Sequence, residues 1–155
     1  MKVKYYDLEN KRVFITGGGS GIGASIVEHF CEQGSEVYFI DINEDESKKL
    51  IEDIKNKNYS LPIFIKCDLL NIKELQKTIA DIISNKGPID ILINNAANDT
   101  RHRIDDVTEE YWNERINVNL RHFFFTVQSV KKSMIDNGGG AIINICLLYT
   151  SDAAD

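Results

Sequence analysis

The residues best suited to chemistry in this chain lie where an apolar run meets a glycine cluster. Val13-Phe14-Ile15 leads into Thr16-Gly17-Gly18-Gly19-Ser20-Gly21-Ile22-Gly23, and a helical pattern starts at once. Glycines let a backbone turn sharply and approach a ligand closely. The helix that follows offers unpaired N–H groups and a partial positive charge to an anion. A nucleotide pyrophosphate needs that combination, although glycine loops also serve as plain strand-to-helix turns. The context favours the nucleotide. Glu36-Val37-Tyr38-Phe39-Ile40 reads as a second strand, and Asp41 closes it 18 residues after Gly23 (41 − 23). A carboxylate about 20 residues beyond such a loop accepts hydrogen bonds from the adenosine ribose hydroxyls. The plainer alternative is a solvated aspartate after an ordinary turn. Asp41 would repel a 2′-phosphate, and Gly18, Gly19, Ser20, Ile42 and Asn43 supply no cation to bind one. The coenzyme expected is therefore NAD rather than NADP.

Two further groups fall at strand ends. Asp68 follows a third strand, and Asn94-Asn95-Ala96-Ala97 follows a fourth. In an open α/β sheet the ligand lies at the carboxyl ends of the strands, near the point where strand order reverses. Each residue alone is also consistent with a turn or a loop bonding its own backbone. Their convergence with Gly17 and Asp41 on one sheet edge is the stronger signal. Asn119 interrupts an apolar stripe of Trp112, Ile116, Phe123, Val127 and Val130 in a long helix. From spacing alone it reads as a satisfied core amide, because a buried amide left unpaired costs roughly 1–3 kcal/mol.

Alternating strand and helix patterns position these residues. A helix is expected from Ile22 to Gln33, stopped by Gly34. Asn43 with Glu46, and Asn71 with Glu74, read as capping boxes for the next two helices. Pro62 to Lys66 and Ile89 to Ile93 read as strands. Thr108 caps the long helix to about Asp136, and Ala141 to Ile145 is a fifth strand. This β-α-β-α-β-α-β-α-β order predicts an α/β fold: one doubly wound, parallel, Rossmann-like sheet with right-handed crossovers. With 155 residues, 43% hydrophobic and 27% charged, the chain is long and apolar enough for a single globular core. Its net charge of −6 argues against a nucleic-acid surface. No stretch approaches the roughly 20 apolar residues of a membrane span, and the first residues do not form a signal peptide. Three widely spaced cysteines, at 31, 67 and 146, suit reduced thiols and a cytoplasmic protein. No cluster suits a metal.

From about Lys11 to Ile145 the chain resembles the classical short-chain dehydrogenase/reductases. The matching pieces are Thr16-Gly17-x-x-x-Gly21-Ile22-Gly23, Asp68-Leu69, Asn94-Asn95-Ala96, Val118-Asn119-Leu120 and Gly140-x-Ile142-x-Asn144-Ile145. Ala97 stands where that family usually has glycine. The resemblance implies that Gly17, Ser20, Gly21, Ile22, Gly23, Asp41, Asp68, Leu69, Asn95 and Ala96 bind the coenzyme. It also makes Asn119 the catalytic asparagine, which bends its helix and holds a water in a proton relay. Asn98-Asp99-x-Arg101-His102, Tyr111-Trp112 and Asn117-Val118-Asn119-Leu120-Arg121-His122 narrow the likeness to the NAD-dependent sugar 1-dehydrogenases, of the D-xylose type, within the family. Those enzymes oxidise an aldose at its anomeric carbon. Asn98, Arg101 and His102 would then face a polar substrate; a solvated basic patch at Arg101, His102 and Arg103 is the equal alternative. His122 reads as structural or interfacial. The resemblance also implies a homodimer or homotetramer.

The family's chemistry needs a serine after the fifth strand and then a Tyr-x-x-x-Lys. Here no lysine follows Lys132. Residues 146–155, Cys-Leu-Leu-Tyr-Thr-Ser-Asp-Ala-Ala-Asp, match the translation of a transposon-type sequencing adapter and are not expected to belong to the fold. A genuine short variant with an unrelated tail is the other account. Residues 1–145 are thus expected to be the N-terminal part of a dehydrogenase domain, cut after its fifth strand and without turnover. Two rival functions stay open: a non-catalytic nucleotide-binding chain, and a 3-oxoacyl or ketone reductase of the same family.

Overall fold

The computed structural model describes residues 3–100 and 102–146. Five strands, β1 (Arg12–Thr16), β2 (Glu36–Asp41), β3 (Ile63–Lys66), β4 (Ile91–Asn94) and β5 (Ala141–Asn144), form one parallel sheet in the order β3-β2-β1-β4-β5. Five α-helices connect them: α1 (Gly21–Glu32), α2 (Glu44–Asn56), α3 (Ile72–Lys86), α4 (Glu109–Ile116) and α5 (His122–Asp136).

Alternate residues of β1, β2 and β4 feed two separate cores. Val13 and Ile15 face α1 and α2, packing with Val37, Phe39, Ile91 and Ile93 against Val27, Leu50 and Ile54. Phe14, Tyr38, Ile40 and Leu92 face α3 and α5, where they meet Leu75, Ile79, Ile82, Val130 and Met134. Burial on both faces explains why these strands read as unbroken apolar runs rather than alternating ones. The expected doubly wound sheet is therefore present. Strand order reverses between β1 and β4, which places the end of β1 at the crevice.

The helix starts follow the asparagines. Asn43 Oδ1 accepts from the N–H of Glu46 at 3.2 Å, and Asn71 Oδ1 from the N–H of Glu74 at 3.2 Å. At Asn43 the return half of the box is replaced: its own N–H donates to Asp41 Oδ1 at 2.9 Å.

Spacing alone predicts one long regular helix after Thr108, whereas the resemblance implies a bend at Asn119. The long helix after Thr108 is broken by a π turn, Asn117–Arg121, between α4 and α5. A π turn adds one residue to the ladder and rotates everything beyond it by about 100°. The buried face of α5 is accordingly His122, Thr126, Val130 and Met134. Phe123 and Val127 are half-buried, whereas Trp112 and Ile116 of the expected stripe are 60% and 41% exposed. Among the described residues, no helix is long and apolar enough to cross a membrane.

Candidate active site

The glycine loop is folded over the end of β2 by its own backbone. The N–H groups of Gly17 and Gly18 both donate to the Ile40 carbonyl, at 2.8 and 3.2 Å. Gly17 has φ +66°, and a Cβ there would sit 2.6 Å from Ala96 Cα. At Gly23 a Cβ would lie 1.9 Å from the Gly17 carbonyl oxygen, so α1 packs against the loop only because that position has no side chain. Gly21 is different. Its φ is +54°, and a Cβ there meets nothing within 4 Å, so the loop opens outward at the start of α1. Ser20 stands at the N-cap of α1 in extended backbone, and its hydroxyl does not cap the helix.

Asp41 closes this cradle from the β2 side. Its Oδ2 accepts from the N–H of Gly19 at 2.8 Å, and its Oδ1 from the N–H of Asn43. A carboxylate has about four lone-pair positions, so each oxygen retains acceptor capacity. Loop, acidic side chain and helix N-terminus therefore form one unit fit for an anionic group and a neighbouring diol.

The β4 end is tied to the β1 end. Thr16 Oγ1 accepts from the N–H groups of Asn95 and Ala96 at 3.0 and 3.1 Å. Asn95 Nδ2 donates to the carbonyls of Thr16 and Gly17 at 3.2 and 2.9 Å. Asn95 thus acts on the glycine loop from across the sheet. Asn94 belongs to the core: its side chain is fully buried, accepts from Thr126 Oγ1 at 2.7 Å and donates to Asn144 Oδ1 at 2.9 Å.

At the β3 end, Asp68 is exposed and its Oδ1 accepts from the N–H of Leu70 at 2.9 Å. The Leu69 side chain lies in the core, which leaves only its backbone to face a ligand. Cys67 beside them is no thiolate: burial, then the negative charges of Glu74 and Asp68, push its thiol up to about 11.

Asn119 sits in the π turn, and its amide is engaged twice by one residue. Its Oδ1 accepts from the N–H of Asn98 at 2.7 Å, and its Nδ2 donates to the Asn98 carbonyl at 3.1 Å. Around that pair the loop after β4 is braced. Arg115 Nη1 reaches the Asn98 carbonyl at 3.5 Å, and its guanidinium lies 4.8 Å from the Tyr111 ring centroid. The Tyr111 hydroxyl donates to the Thr100 carbonyl at 2.6 Å, and the His102 ring lies 3.9 Å from the Tyr111 ring. Asn98 and His102 are therefore on the Asn119 side of the crevice; Arg101 lies outside the described residues. Arg121 Nη2 donates to the Leu70 carbonyl at 3.0 Å, tying the π turn to the β3 end as well.

Thr16, Tyr111 and Arg115 carry positional roles that residue type and spacing did not single out. Thr16 and Tyr111 stood within the family-like motifs without a role of their own, and Arg115 had no signal.

Residues 11–153 match the short chain dehydrogenase family. The D-xylose 1-dehydrogenase of Caulobacter vibrioides is 47% identical over 140 residues, covering 90% of this chain and 54% of that protein. The NAD-dependent glycerol dehydrogenase of Listeria innocua is 32% identical over 143 residues, 92% of this chain and 54% of its own. The ligand-free structure of an aldohexose dehydrogenase from Thermoplasma acidophilum superposes with a TM-score of 0.77 at 28% identity, covering 90% of this chain and 50% of that one. This chain belongs to the short-chain dehydrogenase family. It spans about half the length of the curated relatives it matches.

Proposed function

We propose that this chain is the coenzyme-binding part of an NAD-dependent oxidoreductase that oxidises a sugar at its anomeric carbon, or a secondary alcohol. Asp41 carries the reading. It lies against the glycine loop at Gly19 with acceptor capacity to spare, and the same loop is open at Gly21. Those features suit an adenosine ribose diol and a pyrophosphate, and a negative charge there disfavours a 2′-phosphate. Gly17, Ser20, Gly21, Ile22 and Gly23 hold the phosphates; Asp68, the Leu69 backbone, Asn95 and Ala96 complete the cradle. When bound, NAD supplies the hydride acceptor at nicotinamide C4.

The remaining chemistry is proton handling and substrate orientation. As the substrate C–H bond breaks, the hydroxyl proton must leave to a base. Asn119, with its amide fixed by Asn98, holds a water for that relay. Asn98, Arg101 and His102 orient the hydroxyls of a polar substrate. The similarity to a D-xylose 1-dehydrogenase, 47% identical, favours a sugar over a 3-oxoacyl or ketone substrate. We assign the whole protein to the cytoplasm as a homodimer or homotetramer, acting on a small molecule without nucleic acid or membrane.

Residues 1–145 form the N-terminal part of this dehydrogenase domain, and residues 146–155 translate a sequencing adapter. The 155-residue polypeptide has no Tyr-x-x-x-Lys after Asn119 and is expected to bind without turning over. Fluorescence titration with NADH and NADPH is the test. NADH should bind at least about tenfold tighter, a difference of ~1.4 kcal/mol, and NADH production from any sugar should be absent. Equal affinity for both would remove Asp41 from its role; turnover would refute the inactivity. Binding without turnover fits the non-catalytic nucleotide-binding reading equally well, so the source DNA separates the two. A long read across codon 145 should continue into a serine and a Tyr-x-x-x-Lys. A frame that stops after Asp155 would leave a nucleotide-binding chain alone.

A further inference from the structure

His122 is a fully buried polar ring that the proposed chemistry does not use. Its Nε2 lies 3.3 Å from Thr16 Oγ1, and its Nδ1 lies 2.7 Å from the Val118 carbonyl oxygen. Counting donors fixes the direction of both bonds. The Val118 carbonyl can only accept, so Nδ1 must carry the hydrogen. Thr16 Oγ1 already accepts from the N–H groups of Asn95 and Ala96, so its own hydrogen is left to donate, and Nε2 receives it. The result is one directed chain from the β4 end, through Thr16 at the end of β1, to the π turn. Val118 stands immediately before Asn119, and its carbonyl is held by the side chain of the residue four positions on. A side-chain donor at that carbonyl fits a helix that departs from its regular ladder there.

We propose that His122 is a positioning residue, whose ring ties the coenzyme-side ends of β1 and β4 to the helix break that presents Asn119. Its functional weight rests on the coenzyme reading above; the tie itself does not. Burial, opposed in part by the Val118 carbonyl, pushes the imidazole down to about 4, which keeps Nε2 an acceptor at neutral pH.

The test uses the 155-residue chain, labelled with 15N, and three variants. Long-range 1H–15N spectra of the unmodified chain should show His122 with hydrogen on Nδ1 only, unchanged between pH 5 and 8. His122→Asn places an amide N–H near the Nδ1 position and should keep the Val118 side. His122→Gln reaches toward Thr16 and should keep the β1–β4 side. Amide exchange should therefore quicken roughly tenfold at Asn95 and Ala96 in His122→Asn, and roughly tenfold at Asn98 in His122→Gln, the loss of about one hydrogen bond in each case. His122→Phe should lose both and bind NADH more weakly, with His122→Gln recovering most of the affinity. A hydrogen on Nε2, titration near the ordinary histidine value, or unaltered exchange in all variants would overturn the tie. If His122→Phe does not fold, the tautomer and the other two variants still decide. Exchange that behaves as expected while no variant, nor the parent chain, binds NADH would refute the coenzyme reading and leave the tie standing.

Discussion

The two sides of the crevice are built by different means. On the β1–β2 side, position is set by backbone and by missing side chains: Gly17 and Gly23 permit contacts that any Cβ would block. On the β4–α5 side, position is set by side chains reaching across long stretches of chain. Thr16 meets His122, Asn98 meets Asn119, and Asn94 meets Thr126 and Asn144. At Gly17 and Gly23 the first side tolerates no added volume. The second depends on paired donors and acceptors among buried side chains. A backbone-built site should therefore fail by steric exclusion and a side-chain-built site by unpaired polar groups.

The sharpest break between the two is Gly23→Ala. With a Cβ 1.9 Å from the Gly17 oxygen, it should destabilise the chain by about 3 kcal/mol or more, read by chemical denaturation. Gly21→Ala, at φ +54° in open space, should cost only about 1–2 kcal/mol for its backbone conformation. Near-equal effects would erase the steric account. On the other side, His122 supplies an acid sensitivity. The fold holds it at about 4, below the ordinary 6.5, so the folded state favours the uncharged ring. That contribution is complete above pH 6.5 and is lost as pH falls toward 4, up to about 3 kcal/mol. Urea midpoints across that window should fall less steeply in His122→Asn than in the parent chain. Asp41→Ala should weaken NADH binding by about 2 kcal/mol, through loss of hydrogen bonds to a charged acceptor, and leave NADPH binding unchanged or tighter. Fluorescence titration checks it. The smallest effect expected is Thr126→Val, which leaves Asn94 Oδ1 without its 2.7 Å donor and should lower thermal stability by about 1 kcal/mol.

The contrast also explains what could be read in advance. Glycine spacing, strand-end acids and capping asparagines are local signals, so β1, the loop, α1 and the starts of α2 and α3 were legible from residue order. The family resemblance extended that to Asn119. The resemblance implied a bend at Asn119, but its form as a π turn, and the links from His122 to Val118 and to Thr16 106 residues away, were not legible from spacing. The apolar stripe of the long helix misled because spacing assumed one regular, buried helix, whereas α4 buries none of its residues and the π turn resets the face of α5. Asn94 was grouped with the loop, yet lies in β4, paired in register with Asn144.

The order of the sheet has a consequence in time. β1 sits at its centre, between β2, which follows within 24 residues, and β4, whose neighbouring Asp90 accepts from Arg12 N–H across 78 residues. During synthesis one edge of β1 can be filled early, while the other must wait for four more elements to emerge. Closing so long a loop is the slow, entropically costly step of such a topology. An early strand with an open apolar edge is also where mispairing begins. The last contact to form at β1 brings Asn95 and His122 to Thr16, so the crevice is completed only when the waiting edge is closed.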